Sequence, residues 1–273
     1  MNGACSCFAL GLLAVLVCGQ ARAGDSVCWI LNGVLLAPAI AAGVDGVFIL
    51  DTGQARSQLD ATQASEADIG VNPSVGDVRL AGTVIPRVSM PVEALDARTR
   101  DFPIPIAGVL GADVLAGQVL EVRPDPCRLR LEPSHAAVGE GLSVELRGGV
   151  PYVRAGISSG PRTLSGPFRV ATGSPAPVVL GASQDLAPSE TLRALSLDGK
   201  LLENLQAVLP PAPGADDAIG EPVWSRFTMR LDFGRRTLSL RSPDGNPGSS
   251  PVGGGGRPAR RWRGPRRPAD AAE

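Results

Sequence analysis

The phrase FILDTGQA at 48–55 returns as FRVATGSP at 168–175, and this recurrence limits the fold more than any other feature of the chain. A step of 120 residues carries Phe48, Asp51, Thr52 and Gly53 onto Phe168, Ala171, Thr172 and Gly173. A second correspondence holds at a step of 109, where 111–133 falls on 220–242. There Gly111 meets Gly220, Leu120 meets Met229, Val122 meets Leu231, Leu129 meets Leu238 and Leu131 meets Leu240. The two steps differ by 11, so the second unit lacks about that many residues between its two motifs. Two units with shared punctuation imply two similar lobes.

Each unit reads as β-structure. In 152–157 (YVRAGI) the residues Val153, Ala155 and Ile157 fall on one face, as do Val88, Met90 and Val92 in the first unit. The stretch 231–240 (LDFGRRTLSL) predicts a hairpin with Gly234 in its turn. A few helical turns are expected after Gly111 and after Gly220. The 34 glycines and 25 prolines suit many short strands and turns. No βαβ alternation is visible, which argues against a parallel sheet.

The two ends separate from this body. Phe8–Val17 is an apolar run of signal-peptide length, too short to span a bilayer, and ARA at 21–23 supplies a small-x-small cleavage pattern. Residues 1–23 therefore read as a signal peptide, although MNGACSC carries no basic residue. A lipoprotein reading at Cys18 is disfavoured by Val17 before it. From 243 to 273 the chain is Gly-, Pro- and Arg-rich with few apolar residues, and reads as a disordered tail. Its six arginines around Trp262 allow a tether to anionic polymer or lipid headgroups; a merely solvated tail is the blander reading. The expected order is signal peptide (1–23), N-terminal lobe (24–133), interlobe linker (134–148), C-terminal lobe (149–242) and tail (243–273). The destination is secreted or periplasmic, with no transmembrane anchor.

Cleavage would leave two of the five cysteines, Cys28 and Cys127. In an oxidising compartment they predict one disulfide closing a loop of about 100 residues; two separately buried thiols are the alternative. Two cysteines and one histidine, His135, cannot build a zinc site, and no metal or cofactor is expected. A net charge of -1 gives no field toward nucleic acid. Other chemistries find little support. His135 lies in the predicted linker, Lys200 in a turn signal, and Asp216 with Asp217 in a Pro/Gly-rich loop where adjacent acids are ordinarily solvated.

A strand ending in Asp-Thr-Gly has a specific use. The apolar run fixes the backbone, Asp51 projects from its end, Thr52 can hydrogen-bond a neighbouring loop, and Gly53 admits close approach. Two such loops face to face place two carboxyls about one water apart. They share a proton, one acting as base on the water and the other as acid on a carbonyl.

FILDTGQ, followed by AGVLGADVL sixty residues later, resembles the aspartic proteases of the pepsin and retropepsin type, above all the small exported bacterial members. The resemblance covers about 30–242. It implies an all-β fold with short helices, two acid-protease-like lobes and a cleft between them. It implies that Asp51, Thr52 and Gly53 form the catalytic loop. It also implies that Val109-Leu110-Gly111, echoed by Ala218-Ile219-Gly220, packs beside the two loops. A flap hairpin is expected within 62–95, though the chain's one tyrosine, Tyr152, lies outside it. The second loop departs from the pattern, with Ala171 before Thr172 and Gly173, and no acid close by in sequence replaces it.

Three readings follow. The chain is an aspartic endopeptidase if two copies bring their Asp51 loops together as a homodimer. It is a pseudoprotease if a monomeric two-lobe clamp binds extended peptide or unfolded protein without cutting it. It is a β-rich structural module if Asp-Thr-Gly is only a turn, which the repeat argues against.

Overall fold

The computed structural model describes residues 24–134, 141–160, 163–181, 189–209 and 215–242. The signal-peptide and tail expectations and His135 fall outside these residues. Strands dominate, in one sheet of eight and one of twelve. Among the described residues helix is limited to short pieces at Ala61–Glu66, Asp96–Thr99, Ala112–Val114 and Glu221–Trp224. The last two follow Gly111 and Gly220, where the sequence placed helical turns.

Strand Val34–Ala41 folds back on Val44–Leu50 through Ala42 and Gly43, both at positive φ. The strand's end, Phe48-Ile49-Leu50, is wholly buried, which fixes where Asp51 emerges. Val44–Leu50 then pairs in parallel with Ile106–Leu110, setting Ile49 opposite Val109 and Leu50 opposite Leu110. The second unit repeats this register. Thr163–Ala171 runs parallel to Ala218–Gly220, with Val170 opposite Ile219 and Ala171 opposite Gly220. Among the described residues parallel pairing is limited to short pairs such as these within otherwise antiparallel sheets, so no all-parallel sheet forms, as the absence of βαβ alternation implied. The connections of these pairs run through hairpins, loops and, in the first unit, the short helices Ala61–Glu66 and Asp96–Thr99, with no long crossover helix among the described residues, so no βαβ signature marks them.

The two units meet in one sheet. Gln118–Pro124 pairs antiparallel with Thr228–Asp232, setting Leu120 opposite Leu231 and Val122 opposite Met229. By the 109-residue repeat, Leu231 is the counterpart of Val122 and Met229 that of Leu120. Each residue therefore faces the counterpart of its partner, the mark of a local two-fold axis, as in an isologous dimer. Apolar side chains from both units fill one continuous core.

The disulfide Cys28–Cys127 is formed, with 5.0 Å between Cα atoms, and ties the first described strands to Cys127–Pro133. Within the expected linker, Leu142–Arg147 is a strand, paired with Val150–Ser158 and with Thr237–Arg241. The 231–240 hairpin is present, but Arg236, not Gly234, takes the left-handed conformation in its turn. Gly234 answers a different demand, because a Cβ there would strike the Ser134 side chain. No helix of the described residues is long and apolar enough to cross a membrane.

Candidate functional site

The two Thr-Gly loops meet at the pseudo-two-fold axis, and their threonines clasp reciprocally. Thr52 Oγ1 donates to the carbonyl of Val170 at 2.6 Å, and Thr172 Oγ1 donates to the carbonyl of Leu50 at 2.7 Å. The backbone N–H groups of Thr52 and Thr172 each donate to the other threonine's hydroxyl, at 3.0 and 3.4 Å. Both threonines are fully buried, so each hydroxyl satisfies backbone groups that water does not reach.

The Gly motifs hold these loops from behind by matched bonds. Gln54 N–H donates to the Asp51 carbonyl and Ser174 N–H to the Ala171 carbonyl. Ala112 N–H donates to the Gln54 carbonyl at 2.7 Å, as Glu221 N–H does to the Ser174 carbonyl at 3.0 Å. Gly111 and Gly220 are required by close approach, since a Cβ at either would overlap backbone of the neighbouring loop. The first unit adds a support of its own. Asp113 holds Ser57 through both its N–H and its hydroxyl, and Ser57 Oγ accepts from Gly111 N–H at 2.9 Å.

The site thus contains Asp51, Thr52, Gly53, Thr172 and Gly173, backed by Val109, Leu110, Gly111, Ile219 and Gly220. Ala171 occupies the position opposite Asp51 and is buried. Gly173 lies so close to Asp51 that a Cβ there would sit 2.5 Å from the aspartate's Cβ and Cγ. Gly53 stands in the mirrored relation to Ala171, since a Cβ on Gly53 would sit 2.8 Å from the alanine's Cβ.

Asp51 is 7 % exposed, and its oxygens are engaged from both lobes. Oδ1 accepts from Gly53 N–H at 2.9 Å and from Gly173 N–H at 3.2 Å. Oδ2 accepts from the guanidinium of Arg98, which also donates to Gln54 Oε1 and, at 3.3 Å, to the Gly173 carbonyl. Arg98 rides on the short turn Asp96–Thr99, anchored where Leu95 N–H meets Asp60 Oδ2. Arg98 was not among the sequence candidates. EALDARTRDF holds two arginines among three acids, and nothing local marks Arg98 as the one that reaches Asp51.

Glu221 was not a sequence candidate either. It is 1 % exposed, directly beneath the Ala171 loop, and its Oε2 has no hydrogen-bond partner among the described residues. Burial, and secondarily the negative charge of Asp51, push its carboxyl well above the usual glutamate range. Here the repeat did carry a signal: the matching position in the first unit is Ala112, buried and uncharged.

The hairpin within 62–95 is present as Ser74–Leu80 and Thr83–Met90. Its turn at Ala81 and Gly82 lies against Gly24, and Thr83 Oγ1 donates to the Leu131 carbonyl, pinning the hairpin beside the shared sheet. The side chain that covers Asp51 is Arg98, from a different segment.

The remaining candidates have structural partners. Tyr152 donates to Asp216 Oδ2 at 2.6 Å, and burial together with that bond pushes its phenol up to about 12. Asp217 accepts from Gly181 N–H at 2.6 Å, so these two acids organise a loop and are not merely solvated. Lys200 pairs with Asp198 across its own turn. Among the described residues no three His, Cys, Asp or Glu side chains gather as a metal site.

Neither a protein-family model nor a curated protein matches the sequence. Among solved structures, the aspartic proteinase from Irpex lacteus matches over 80 % of this chain and 97 % of its own, with 11 % identity and a TM-score of 0.50. That likeness is one of fold. Two mainly β lobes related by a local two-fold axis, meeting at paired Thr-Gly loops, give this chain the fold of an aspartic proteinase.

Proposed function

We propose that this protein holds extended peptide or unfolded protein in the cleft between its lobes and does not hydrolyse it. The observation that carries the reading is the state of Asp51: Oδ1 accepts from backbone N–H groups of both loops, and Oδ2 is taken by Arg98. A general base needs a lone pair turned toward the water it activates. Here that position belongs to a guanidinium. The second carboxyl, which would share a proton and protonate the substrate carbonyl, is the methyl of Ala171.

The homodimeric enzyme is disfavoured by the same geometry. The place where a second copy's Asp51 loop would dock is filled by this chain's own Thr172 and Gly173. A cleft between β lobes still offers main-chain donors and acceptors to an extended ligand, which needs no acid and no cofactor. The disulfide and the leader-like 1–23 support an exported protein working in an oxidising compartment.

Fluorescence anisotropy with a labelled, denatured and alkylated protein digest tests the binding half of this reading. Saturable binding of the full chain to the digest is expected, competed by unlabelled digest and not by the same protein folded. Absence of binding across pH 4–8 would remove the peptide-holding function.

A further inference from the structure

The Asp51 centre is a clasp between lobes as much as a chemical site. Asp51 Oδ1 bonds one N–H from each unit, and Arg98 spans from Asp51 to the Gly173 carbonyl. Immediately behind the second loop lies a carboxyl with no counter-ion among the described residues. Glu221 opens the turn Glu221–Trp224, and its own N–H is bonded to the Ser174 carbonyl of that loop. A buried acid so placed is tolerated as the neutral form, because an ionised carboxylate without a cation is costly in a dry interior.

Among the described residues the charges around Glu221 are few. Strand Val34–Ala41, strand Ala218–Gly220 and the loop 171–177 contain no ionisable residue. Arg226, one turn on, is exposed. Arg98 is already committed to Asp51 on the cleft side. Asp51 itself is the charged group acting on Glu221, and it is of like sign.

We propose that Glu221 is the second carboxyl of this centre, a positioning residue whose proton keeps the clasp between the two Thr-Gly loops closed. With Glu221 neutral, the Asp51 carboxylate and the Arg98 guanidinium balance each other. Once Glu221 loses its proton, two negative charges face one positive charge. Relief then comes from admitting water behind loop 171–177 or moving that loop away, and either change strains the Gly173 N–H bond to Asp51.

The direction with pH follows from linkage. A glutamate in the unfolded chain ionises near 4.5, whereas Glu221 keeps its proton to higher pH. Its contribution to the closed state is therefore complete below pH 4.5 and is lost as pH rises toward its folded value. The clasp is an acid-closed one.

Amide hydrogen exchange on the full chain without peptide, corrected for intrinsic rates, reads this at Thr172 and Gly173 independently of the peptide-holding function. Protection in the native protein is expected to fall by about tenfold or more between about pH 5 and 8, one pH unit of linkage being a factor of ten. In Glu221→Gln, which keeps shape and neutrality, protection at the same amides stays level. Parallel profiles in the two proteins would overturn the proposal. If Glu221→Gln does not fold, carboxyl carbon NMR of the native protein decides instead. A Glu221 resonance titrating in the ordinary glutamate range would overturn the proposal, and one titrating well above it is expected.

Discussion

Ala171→Asp combined with Arg98→Ala is expected to give a site that cleaves unfolded protein at acidic pH, while neither substitution alone is expected to do so. Room for the new carboxylate already exists. Gly173 has no side chain at the place where Asp51 sits, and Gly53 leaves the mirrored space beside Ala171. An aspartate at 171 would find the Gly173 and Gly53 N–H groups arranged for it by the same two-fold relation that now serves Asp51. With Arg98 present, the new pair would be bridged by a cation and would have no reason to share a proton. With Arg98 gone and Ala171 retained, Asp51 is the single acid between the two Thr-Gly loops, Glu221 being buried behind the second of them. Only the double change sets two carboxyls face to face across the axis with an open lone pair, the combination acid–base catalysis needs, for which a gain of about 10²–10⁴-fold over either single variant is expected. Peptide release from a denatured substrate, followed by mass spectrometry, checks all three variants side by side.

Removing the disulfide is expected to have the largest effect on stability. Cys28 and Cys127 close a loop with a separation of 99 residues. In the chain-entropy account, releasing such a loop costs up to about 4–5 kcal/mol, and native disulfides typically contribute about 2–5. For a chain of this size each kcal/mol corresponds to roughly 2–4 °C in Tm. Cys28→Ser with Cys127→Ser should therefore melt on the order of 10 °C lower than the native protein under non-reducing conditions. An unchanged melting temperature would mean that the first strands are held by packing alone.

What could be read of the site from the sequence was what the repeat encodes. Asp51, Thr52, Gly53 and their counterparts were legible because the two loops must satisfy each other across an axis, so both keep the same Thr and Gly. Val109, Leu110, Gly111, Ile219 and Gly220 were legible because close packing behind each loop admits no side chain at the glycine. The parallel pairing of those strands was not, since a short continuous apolar run such as Ile106–Leu110 fits a buried strand of either direction and no crossover helix marks a parallel one.

Arg98 was illegible for a different reason. It comes from the longer connection of the first unit, between Met90 and Ile106, where no repeat constrains the residues. Its partner is set by tertiary placement of a single turn. Glu221 lies between these cases. Aligning the two units sets its charge against Ala112, and that mismatch is legible in the amino-acid sequence, whereas the burial that gives it meaning is not. Loop 81–82 shows the reverse failure: a hairpin does occur in the expected segment, yet its turn is anchored to Leu131 through Thr83 and lies beside the shared sheet.

The proposed function rests on the expectation that the site does not cut, because Asp51 is held by Arg98 and faces Ala171. The most direct measurement is mass-spectrometric detection of new termini in a mixed, denatured protein substrate from about pH 3 to 7. The full native chain and Asp51→Asn are compared. Indistinguishable silence from both folded proteins at every pH is the predicted result. New termini produced by the native chain and abolished in Asp51→Asn would contradict it, and would show that Asp51 escapes Arg98 and finds a second acid.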